Sequence, residues 1–347
     1  MGDTIGVFIG SASSFNIVRA ASHIGEALSQ NLTPDLVTTE PEVVAEVRGV
    51  YDGIHGTTEK PSIRGEISAL SSYIHNRNPD VLFQITRPPI HGTIVGSLAR
   101  RYSIPFVYRY SGDRFYEYKI SSGIEKLQHF GLNNLLGRFP LYLADHCIAL
   151  GPSGRTRLKN RGVDENDISI IPPIVDTEKF SPDGPTADLD TDRYIGLFAG
   201  RISRRKGKKT LERTIPKILR RRSDLEFVFI GEQTESLAIP SQYKDHITVV
   251  GSVPPDDVPQ YYRAADFLIH PSLTEGLPRV ILEAIASGTP PIARDVGDIP
   301  YATKNTFQTE SEFVEIVITF EQLLGRKVYP FNNNKIGDMY VDLFKDI

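Results

Sequence analysis

Cysteine and long apolar runs are almost absent from this sequence, and each absence excludes a class of protein. Cys147 is the only cysteine among 347 residues, so no disulfide can form within the chain, and a secreted disulfide scaffold is disfavoured. No stretch approaches the ~20 consecutive apolar residues that a membrane-spanning helix needs. The first residues show neither a secretory leader nor a myristoylation pattern. We therefore expect a cytoplasmic protein in which Cys147 packs inside a core.

The sequence also lacks an excess of basic residues and a clustered set of metal ligands. Its formal net charge of −4 argues against a general nucleic-acid binder. The eight histidines include no close-spaced ligand pair, and the alternating acids at 188–192 fall in a presumed linker. We expect no dedicated metal site, no cofactor and no nucleic-acid partner.

What is present predicts two α/β domains. Hydrophobic residues make up 40% of the chain and charged residues 24%, as in ordinary globular proteins, and 347 residues exceed the usual size of one domain. Short apolar runs alternate with segments of helical period, which is typical of parallel α/β architecture. We expect strands at 5–9, 81–85, 105–108, 146–150, 169–171, 194–199, 226–230, 247–250, 267–269 and 291–293. We expect helices at 17–30, 93–101, 210–221, 258–263, 279–286 and 311–324. A stretch rich in Pro, Asp, Thr and Gly at 172–190 indicates the linker.

Two carboxylates eight residues apart, Glu275 and Glu283, stand on either side of a predicted helix start at Pro278. At about 1.5 Å per residue, Glu283 would lie roughly 7–8 Å further along the helix axis than Pro278. The amides of Arg279 and Val280 lie between the acids, where helix starts bind phosphate. This order suits a nucleotide-sugar: sugar hydroxyls at Glu275, diphosphate at the amides, ribose hydroxyls at Glu283. The alternative is an exposed helix with two surface acids.

A basic loop follows the strand expected at 194–199. Six cations fall within nine residues: Arg201, Arg204, Arg205, Lys206, Lys208 and Lys209. Fixed cations beside a departing diphosphate would stabilise the charge that develops there. The alternatives are a solvated basic turn or a patch that meets an anionic membrane. Both this loop and the acidic motif follow strands, and ligands in open α/β sheets bind beyond the carboxyl ends of strands.

The sequence around these motifs resembles the retaining glycosyltransferases of family 4. The matching segments are 170–182, 200–207, 249–254, 265–272, 275–284, 286–293 and 297–300. The resemblance is strong from about residue 144 to 300 and weaker toward the N-terminus. It implies the GT-B fold, with two Rossmann-like domains whose parallel sheets face a deep interdomain cleft. The N-terminal, acceptor-side domain would span 1–175, the nucleotide-sugar domain 176–331, and segment 332–347 would pack back on the first domain.

The resemblance also assigns roles to particular residues. Arg201 and Lys206 match the diphosphate contacts, and Gly276 and Leu277 belong to the donor-binding motif. Backbone near Gly231 and Val253 would meet the base. No nucleophile–base pair is evident, and relatives are thought to use the departing phosphate as the base.

Three residues of the first half are weaker candidates. Ser11 lies in a turn of small residues that keeps the backbone open to phosphate, although an ordinary strand-to-helix turn explains it equally. Asp113 stands where relatives often have a donor-facing His, so it is a catalytic-support candidate or a capping acid. Arg87 follows a strand in the same way.

Residues 120–143 form an apolar segment with interspersed cations. The pattern allows an amphipathic surface that contacts a membrane, although core packing explains most of it.

These observations predict a metal-independent, retaining glycosyltransferase that moves a sugar from a nucleotide-sugar to a saccharide acceptor. The acceptor could be lipid-linked and the protein peripheral at the inner face of the membrane. A non-catalytic nucleotide-sugar-binding regulator and a nucleotide-sugar epimerase are the alternatives.

Overall fold

Two parallel sheets, one in each half of the chain, organise the fold. The computed structural model describes residues 3–11, 15–40, 47, 49–56, 62–112, 115, 117–121, 123–233, 235–323 and 331–347. The chain divides into two compact units. The first extends to Ile174 and also includes Asn332–Ile347, and the second is Val175–Phe331.

The first sheet has the strand order β3-β2-β1-β4-β5-β6-β7, and its described strand pairs are parallel. Its strands are β1 (Thr4–Gly10), β2 (Thr33–Thr38), β3 (Gly53–His55), β4 (Val81–Gln84), β5 (Phe106–Tyr110), β6 (His146–Ala149) and β7 (Ile168–Ile170). The central strands are continuous apolar runs because helices cover both faces of a parallel sheet. Cys147 is buried in the core of this unit.

Helices connect the strands of the first unit. They are α1 (Phe15–Leu28), α2 (Ile63–Arg77), α3 (Pro88–Tyr102), α4 (Glu117–Ile120), α5 (Gly123–Phe130), α6 (Phe139–Leu143) and α7 (Pro152–Lys159). A π-helical turn (Gly131–Leu135) and a 3-10 turn (Leu136–Arg138) join α5 to α6. Helix α2 begins at the N-cap Ser62, whose hydroxyl accepts from the Gly65 amide at 3.0 Å.

The second sheet has the order β10-β9-β8-β11-β12-β13, and its described strand pairs are also parallel. Its strands are β8 (Tyr194–Ala199), β9 (Leu225–Ile230), β10 (Ile247–Gly251), β11 (Phe267–His270), β12 (Pro291–Arg294) and β13 (Thr306–Phe307). Its helices are α8 (Lys208–Leu219), α9 (Val258–Ala264), α10 (Arg279–Ala286), α11 (Ile299–Ala302) and α12 (Glu310–Ile318). The predicted strand at 194–199 and helix at 279–286 have these bounds in the structure.

The last helix, α13 (Asn333–Asp346), belongs to the first unit although it follows the second in the chain. It packs against α1, and its Tyr340 and Phe344 rings lie 6.2 and 5.2 Å from the Phe83 ring of β4, between centroids. The predicted α/β architecture is therefore confirmed. Strands β2, β3 and β13, helix α2 and the shorter helices α4, α5, α6, α7 and α11 were not predicted.

Candidate active site

The loop from β11 to α10 carries the acidic motif of the second unit. Helix α10 begins after Pro278, which is its N-cap and offers no side-chain hydrogen bond to the first turn. The amides of the first turn, which include those of Arg279 and Val280, are therefore not capped by the residue at the helix start. Gly276 and the buried Leu277 complete the loop between Glu275 and the helix.

Glu275 lies in a cluster with one cation and one imidazole. Its Oε1 is 2.6 Å from Lys206 Nζ and 3.3 Å from His270 Nε2, and only 11% of its side chain is exposed. Burial alone would raise the pKa of Glu275, but the Lys206 ammonium and the His270 hydrogen bond outweigh it and hold the pKa well below its usual range. Burial lowers the pKa of His270. Near pH 7 the cluster therefore contains an ionised carboxylate and a neutral imidazole beside Lys206.

Backbone contacts fix the basic loop to the acidic loop. Gly207, the N-cap of α8 within the basic loop, has φ +87°, and a Cβ there would lie 2.3 Å from the Pro271 carbonyl oxygen. The Leu273 amide donates to the Arg205 carbonyl at 2.9 Å. Only glycine allows this approach, so Lys206 and Glu275 are held together by main chain as well as by their charges.

A third segment, after β12, fixes the acidic loop from the other side. The Asp298 amide donates to the Gly276 carbonyl at 2.8 Å. Gly297 has φ +62°, and a Cβ there would lie 2.3 Å from the Glu275 carbonyl oxygen. Glu275 is thus positioned by loops that follow three different strands of one sheet.

Four of the other cations of the basic loop are exposed, and Lys208 is as enclosed as Lys206. Arg201 Nε lies 3.1 Å from Glu232, with both side chains more than half exposed. Lys208 Nζ lies 2.9 Å from Glu235. Arg204, Arg205 and Lys209 are exposed.

Glu283, like Glu275, is nearly enclosed by its own unit. It is 5% exposed, its Oε2 accepts from Tyr262 Oη at 3.3 Å, and its Oε1 lies 3.8 Å from Arg279 Nε.

The two residues predicted to meet the base also follow strands of this sheet. Gly231 follows β9 with φ +118°, and its amide donates to the Gly251 carbonyl at 2.6 Å. Val253 is half-buried, two residues after β10. The predicted base contacts follow β10 and β9, the diphosphate contacts follow β8, and the sugar contact follows β11. These four strands are neighbours in the order β10-β9-β8-β11, so the predicted contacts lie at one edge of the sheet.

In the first unit, Ser11 and Arg87 are brought together. Arg87 donates from one terminal nitrogen to Ser11 Oγ at 3.2 Å. The Ser11 amide and hydroxyl both donate to Glu66 Oε1, at 2.9 and 2.6 Å. His91 Nε2 lies 3.2 Å from the same oxygen. The predicted residue Asp113 lies outside the described residues.

Sequence reasoning missed His270, Glu66 and His91. A signal for His270 existed, since it directly follows the strand predicted at 267–269 and precedes Glu275 by five residues. Glu66 and His91 gave no signal, because helix α2 was not predicted and His91 sits on an ordinary helix face.

Two negative findings hold for the part of the chain that the structure describes. No group of three or more His, Cys, Asp or Glu side chains there could hold a metal ion. None of the helices described above is both long and apolar enough to cross a bilayer.

The fold matches solved structures over its whole length. The structure of Anabaena Alr3699/HepE in complex with UDP-glucose gives a TM-score of 0.73 at 15% identity, covering 99% of this chain and 100% of that chain. Two parallel α/β units that match it define a protein of the GT-B fold, as predicted.

Sequence comparisons give the family. The family described as "Glycosyltransferase Family 4" matches residues 18–179, and "Glycosyl transferases group 1" matches residues 193–320. The chain belongs with the family 4-like GT-B glycosyltransferases, which confirms the predicted resemblance.

Curated relatives share only part of their length with this chain. The D-inositol 3-phosphate glycosyltransferase of Corynebacterium kroppenstedtii is 29% identical over 178 residues, 45% of this chain and 40% of that protein. The GDP-mannose-dependent alpha-(1-6)-phosphatidylinositol monomannoside mannosyltransferase of Mycobacterium tuberculosis is 34% identical over 151 residues, 38% of this chain and 39% of that protein. Each match spans about two fifths of the relative's length.

Proposed function

We propose that this protein transfers a sugar from a nucleoside diphosphate sugar to a saccharide acceptor. The observation that carries the proposal is the cluster of Lys206, Glu275 and His270 at the start of α10. It combines a cation for phosphate with a buried acceptor for sugar hydroxyls. The names of two relatives, an inositol 3-phosphate glycosyltransferase and a GDP-mannose-dependent mannosyltransferase, support the same activity.

The Lys206–Glu275 ion pair is the resting arrangement of the site in this proposal. When donor binds, the diphosphate takes Lys206 as its counter-ion, and Glu275 accepts hydrogen bonds from the transferred sugar. His270 keeps donating to Glu275 and holds the carboxylate in place. Arg201 is the second diphosphate contact, and its exposed pair with Glu232 exchanges at little cost.

The reaction we propose breaks the bond between the anomeric carbon and the diphosphate oxygen, whose electron pair leaves with the phosphate. A hydroxyl oxygen of the acceptor forms the new bond on the same face, and its proton passes to the departing phosphate oxygen. The anomeric configuration is therefore retained. Arg201 and Lys206 stabilise the growing negative charge, so we propose that the reaction needs no metal.

Purified protein tests this proposal with a panel of uridine, guanosine and adenosine diphosphate sugars. We expect nucleoside diphosphate release only when an acceptor is present, insensitivity to chelator, and a retained anomeric centre in the product by NMR. Lys206→Met should slow transfer at least about 100-fold, whereas its exposed neighbour Lys209→Met should not. Release without acceptor or interconversion of donor sugars would contradict transfer, and binding without turnover would favour a regulatory protein.

A second observation bears on the acceptor. Residues 124–142 expose large apolar side chains, contrary to the core packing expected for most of this segment. The exposed residues are Ile124, Leu127, Phe130, Leu132, Leu135, Leu136, Phe139 and Tyr142. We call these eight side chains the apolar surface. Ile124 and Leu127 are 77% and 73% exposed, whereas Leu141 is buried as expected.

We propose that the apolar surface lies on a lipid membrane and that the acceptor is lipid-linked. A cluster of large exposed apolar side chains marks a membrane or protein contact. Lys126 and Arg138 are exposed among these side chains, where they would meet anionic headgroups. A relative's name includes phosphatidylinositol monomannoside, which is a lipid. The protein would then be peripheral at the membrane.

Flotation with vesicles tests this surface without any transfer assay. We expect binding to phosphatidylcholine vesicles that contain anionic phosphatidylglycerol, and loss of binding in the double variant Leu127→Gln, Leu135→Gln. The control variant Ile63→Gln, Ile67→Gln removes exposed apolar side chains from α2 and should bind normally. Equal binding of both variants would refute the proposal. A dimer that only the first variant disrupts would instead make the surface an interface between copies.

A further inference from the structure

A buried carboxylate–histidine pair lies beneath the turn that follows β1. Glu66, in the first turn of α2, is 2% exposed, and His91, on α3, is fully buried. Both belong to helices of the first unit and meet at Glu66 Oε1. Burying a carboxylate is costly unless it is well paired, so this arrangement needs compensating contacts.

Further contacts hold the Glu66–His91 pair on the side that faces the core. His91 Nδ1 lies 2.7 Å from Thr86 Oγ1, and the His91 ring packs edge-on against Phe8 with centroids 5.2 Å apart. Burial would raise the pKa of Glu66, but the hydrogen bonds from His91 and Ser11 outweigh it and lower the pKa to about 2. The carboxylate therefore stays ionised at physiological pH.

On the outer side, the pair fixes the Ser11 hydroxyl. Both the Ser11 amide and its hydroxyl hydrogen are donated to Glu66, so the hydroxyl oxygen presents lone pairs toward the outside. A phosphate oxygen would be repelled there, which differs from the expectation that the Ser11 backbone holds phosphate directly. A cation suits the position, and Arg87 occupies it at 3.2 Å.

The backbone conformation at Gly10 permits Glu66 and His91 to lie close to the turn that follows β1. Gly10 has φ +57°, and a Cβ there would lie 2.9 Å from both Glu66 Oε1 and the His91 ring. Arg87 also adopts the left-handed conformation, with φ 39°, which is strained for a residue with a side chain. Of its five N–H donors, Arg87 uses one for Ser11 and forms no other hydrogen bond within the described residues.

We propose that Glu66 and His91 are positioning residues that orient Ser11 and, through it, the Arg87 guanidinium to bind a phosphate group of a ligand. The inference rests on the proposed transfer function for the source of that phosphate, which is either the donor diphosphate or a phosphorylated acceptor. Arg87 is the group that contacts the ligand, because its remaining donors form the fork that matches phosphate oxygens.

The probe is inorganic pyrophosphate, titrated calorimetrically into the full chain with Arg201→Ala and Lys206→Ala, which remove the diphosphate contacts proposed for the second unit. In this background, Arg87→Ala should weaken the remaining site about tenfold or more. Arg100→Ala, which removes an exposed cation from the other end of α3, should leave it unchanged.

The positioning role is tested by Ser11→Ala, which keeps the Glu66–His91 pair and so does not depend on the folding of a Glu66 variant. We expect Ser11→Ala and Glu66→Gln each to weaken binding about threefold or more, and to add nothing further when combined with Arg87→Ala. An Arg87 effect without a Ser11 effect would overturn the positioning role. No saturable binding, or equal behaviour of Arg87→Ala and Arg100→Ala, would overturn the phosphate site.

Binding of nucleoside diphosphate identifies the source of the phosphate. In a chain with Arg201 and Lys206 intact, Arg87→Ala should weaken the binding of uridine or guanosine diphosphate if the phosphate belongs to the donor, and should leave that binding unchanged if it belongs to the acceptor. Neither measurement requires turnover. A chain that binds pyrophosphate at Arg87 but transfers no sugar would refute the proposed function and leave this inference standing.

Discussion

The Lys206–Glu275 ion pair should stabilise the second unit as well as bind donor. Replacing Lys206 with Met keeps the aliphatic stem but leaves a carboxylate that is 89% enclosed without its cation. Breaking a buried pair by removing one partner costs about 3–5 kcal/mol, and we expect the lower end because 19% of the Lys206 side chain is exposed. The control Lys209→Met should change the free energy of unfolding by less than about 0.5 kcal/mol.

A double-mutant cycle isolates the pair. Glu275→Gln removes the charge that Lys206→Met leaves unpaired, so the double variant should be more stable than the sum of the single changes predicts, by about 1–3 kcal/mol. Urea unfolding followed by circular dichroism measures the four proteins. Additivity within about 0.5 kcal/mol would refute the view that the pair is mutually stabilising.

The direction in which pH changes the stability contributed by Glu275 can be worked out from its pKa. The pKa of Glu275 lies below its ordinary value of 4.5 in the folded wild type, so its contribution to stability is complete above about pH 4.5 and is lost as the pH falls further. In Lys206→Met, the Lys206 charge no longer offsets the effect of burial, so the pKa of Glu275 rises. The loss of unfolding free energy in this variant, relative to wild type, should therefore be largest near neutral pH and shrink in acid. A deficit that is constant from pH 7 to pH 3 would contradict this account.

Substitutions at Glu283 and Gly207 and chemical labelling of Cys147 provide further tests. Glu283→Gln should weaken the binding of nucleoside diphosphate alone about tenfold, as measured by calorimetry. Glu275→Gln should leave that binding nearly unchanged and reduce sugar transfer. Identical binding profiles for the two variants would contradict the assignment of Glu283 to the ribose and Glu275 to the transferred sugar. Gly207→Ala should lower the free energy of unfolding by about 2–4 kcal/mol, because its Cβ would strike a carbonyl oxygen, whereas Gly112→Ala meets nothing within 4 Å and should be neutral in the same melt. Burial raises the pKa of Cys147 to about 12, so a thiol reagent at pH 8 should label the protein only after unfolding, and prompt labelling of the native chain would place the thiol at the surface.

The second unit could be predicted well because its signals are local. Pro278 sets the start of α10, and the apolar run before Glu275 is long enough to specify a buried strand. What the sequence could not supply was the partner of each charge. The Lys206 ammonium meets Glu275, which lies 69 positions away, and this pairing depends on the approach of Gly207 to Pro271.

The first unit shows why several elements were missed. Strand β2 contains Pro34 and Asp35, residue types that are depleted in strands. In the fold Asp35 is fully buried and accepts from Tyr73 Oη at 3.2 Å and Arg77 Nε at 3.0 Å, so contacts from α2 override the local preference.

The apolar surface was misjudged for a different reason. A helical period of apolar residues is the same whether the face packs in a core or is exposed, and only the three-dimensional surroundings distinguish the two cases. Leu127 is 73% exposed, so this face does not pack in the core.

The position of α13 has a consequence for how the protein is made. The first unit needs Tyr340 and Phe344 to cover Phe83, yet the whole second unit is synthesised before them. At about 5–20 residues per second, roughly ten to thirty seconds separate the two events on the ribosome. During that interval the nascent first unit carries an uncovered aromatic face, which is the kind of surface that chaperones bind. A nascent chain stalled at Phe331 should therefore be digested by protease within its first unit faster than one stalled with α13 fully emerged.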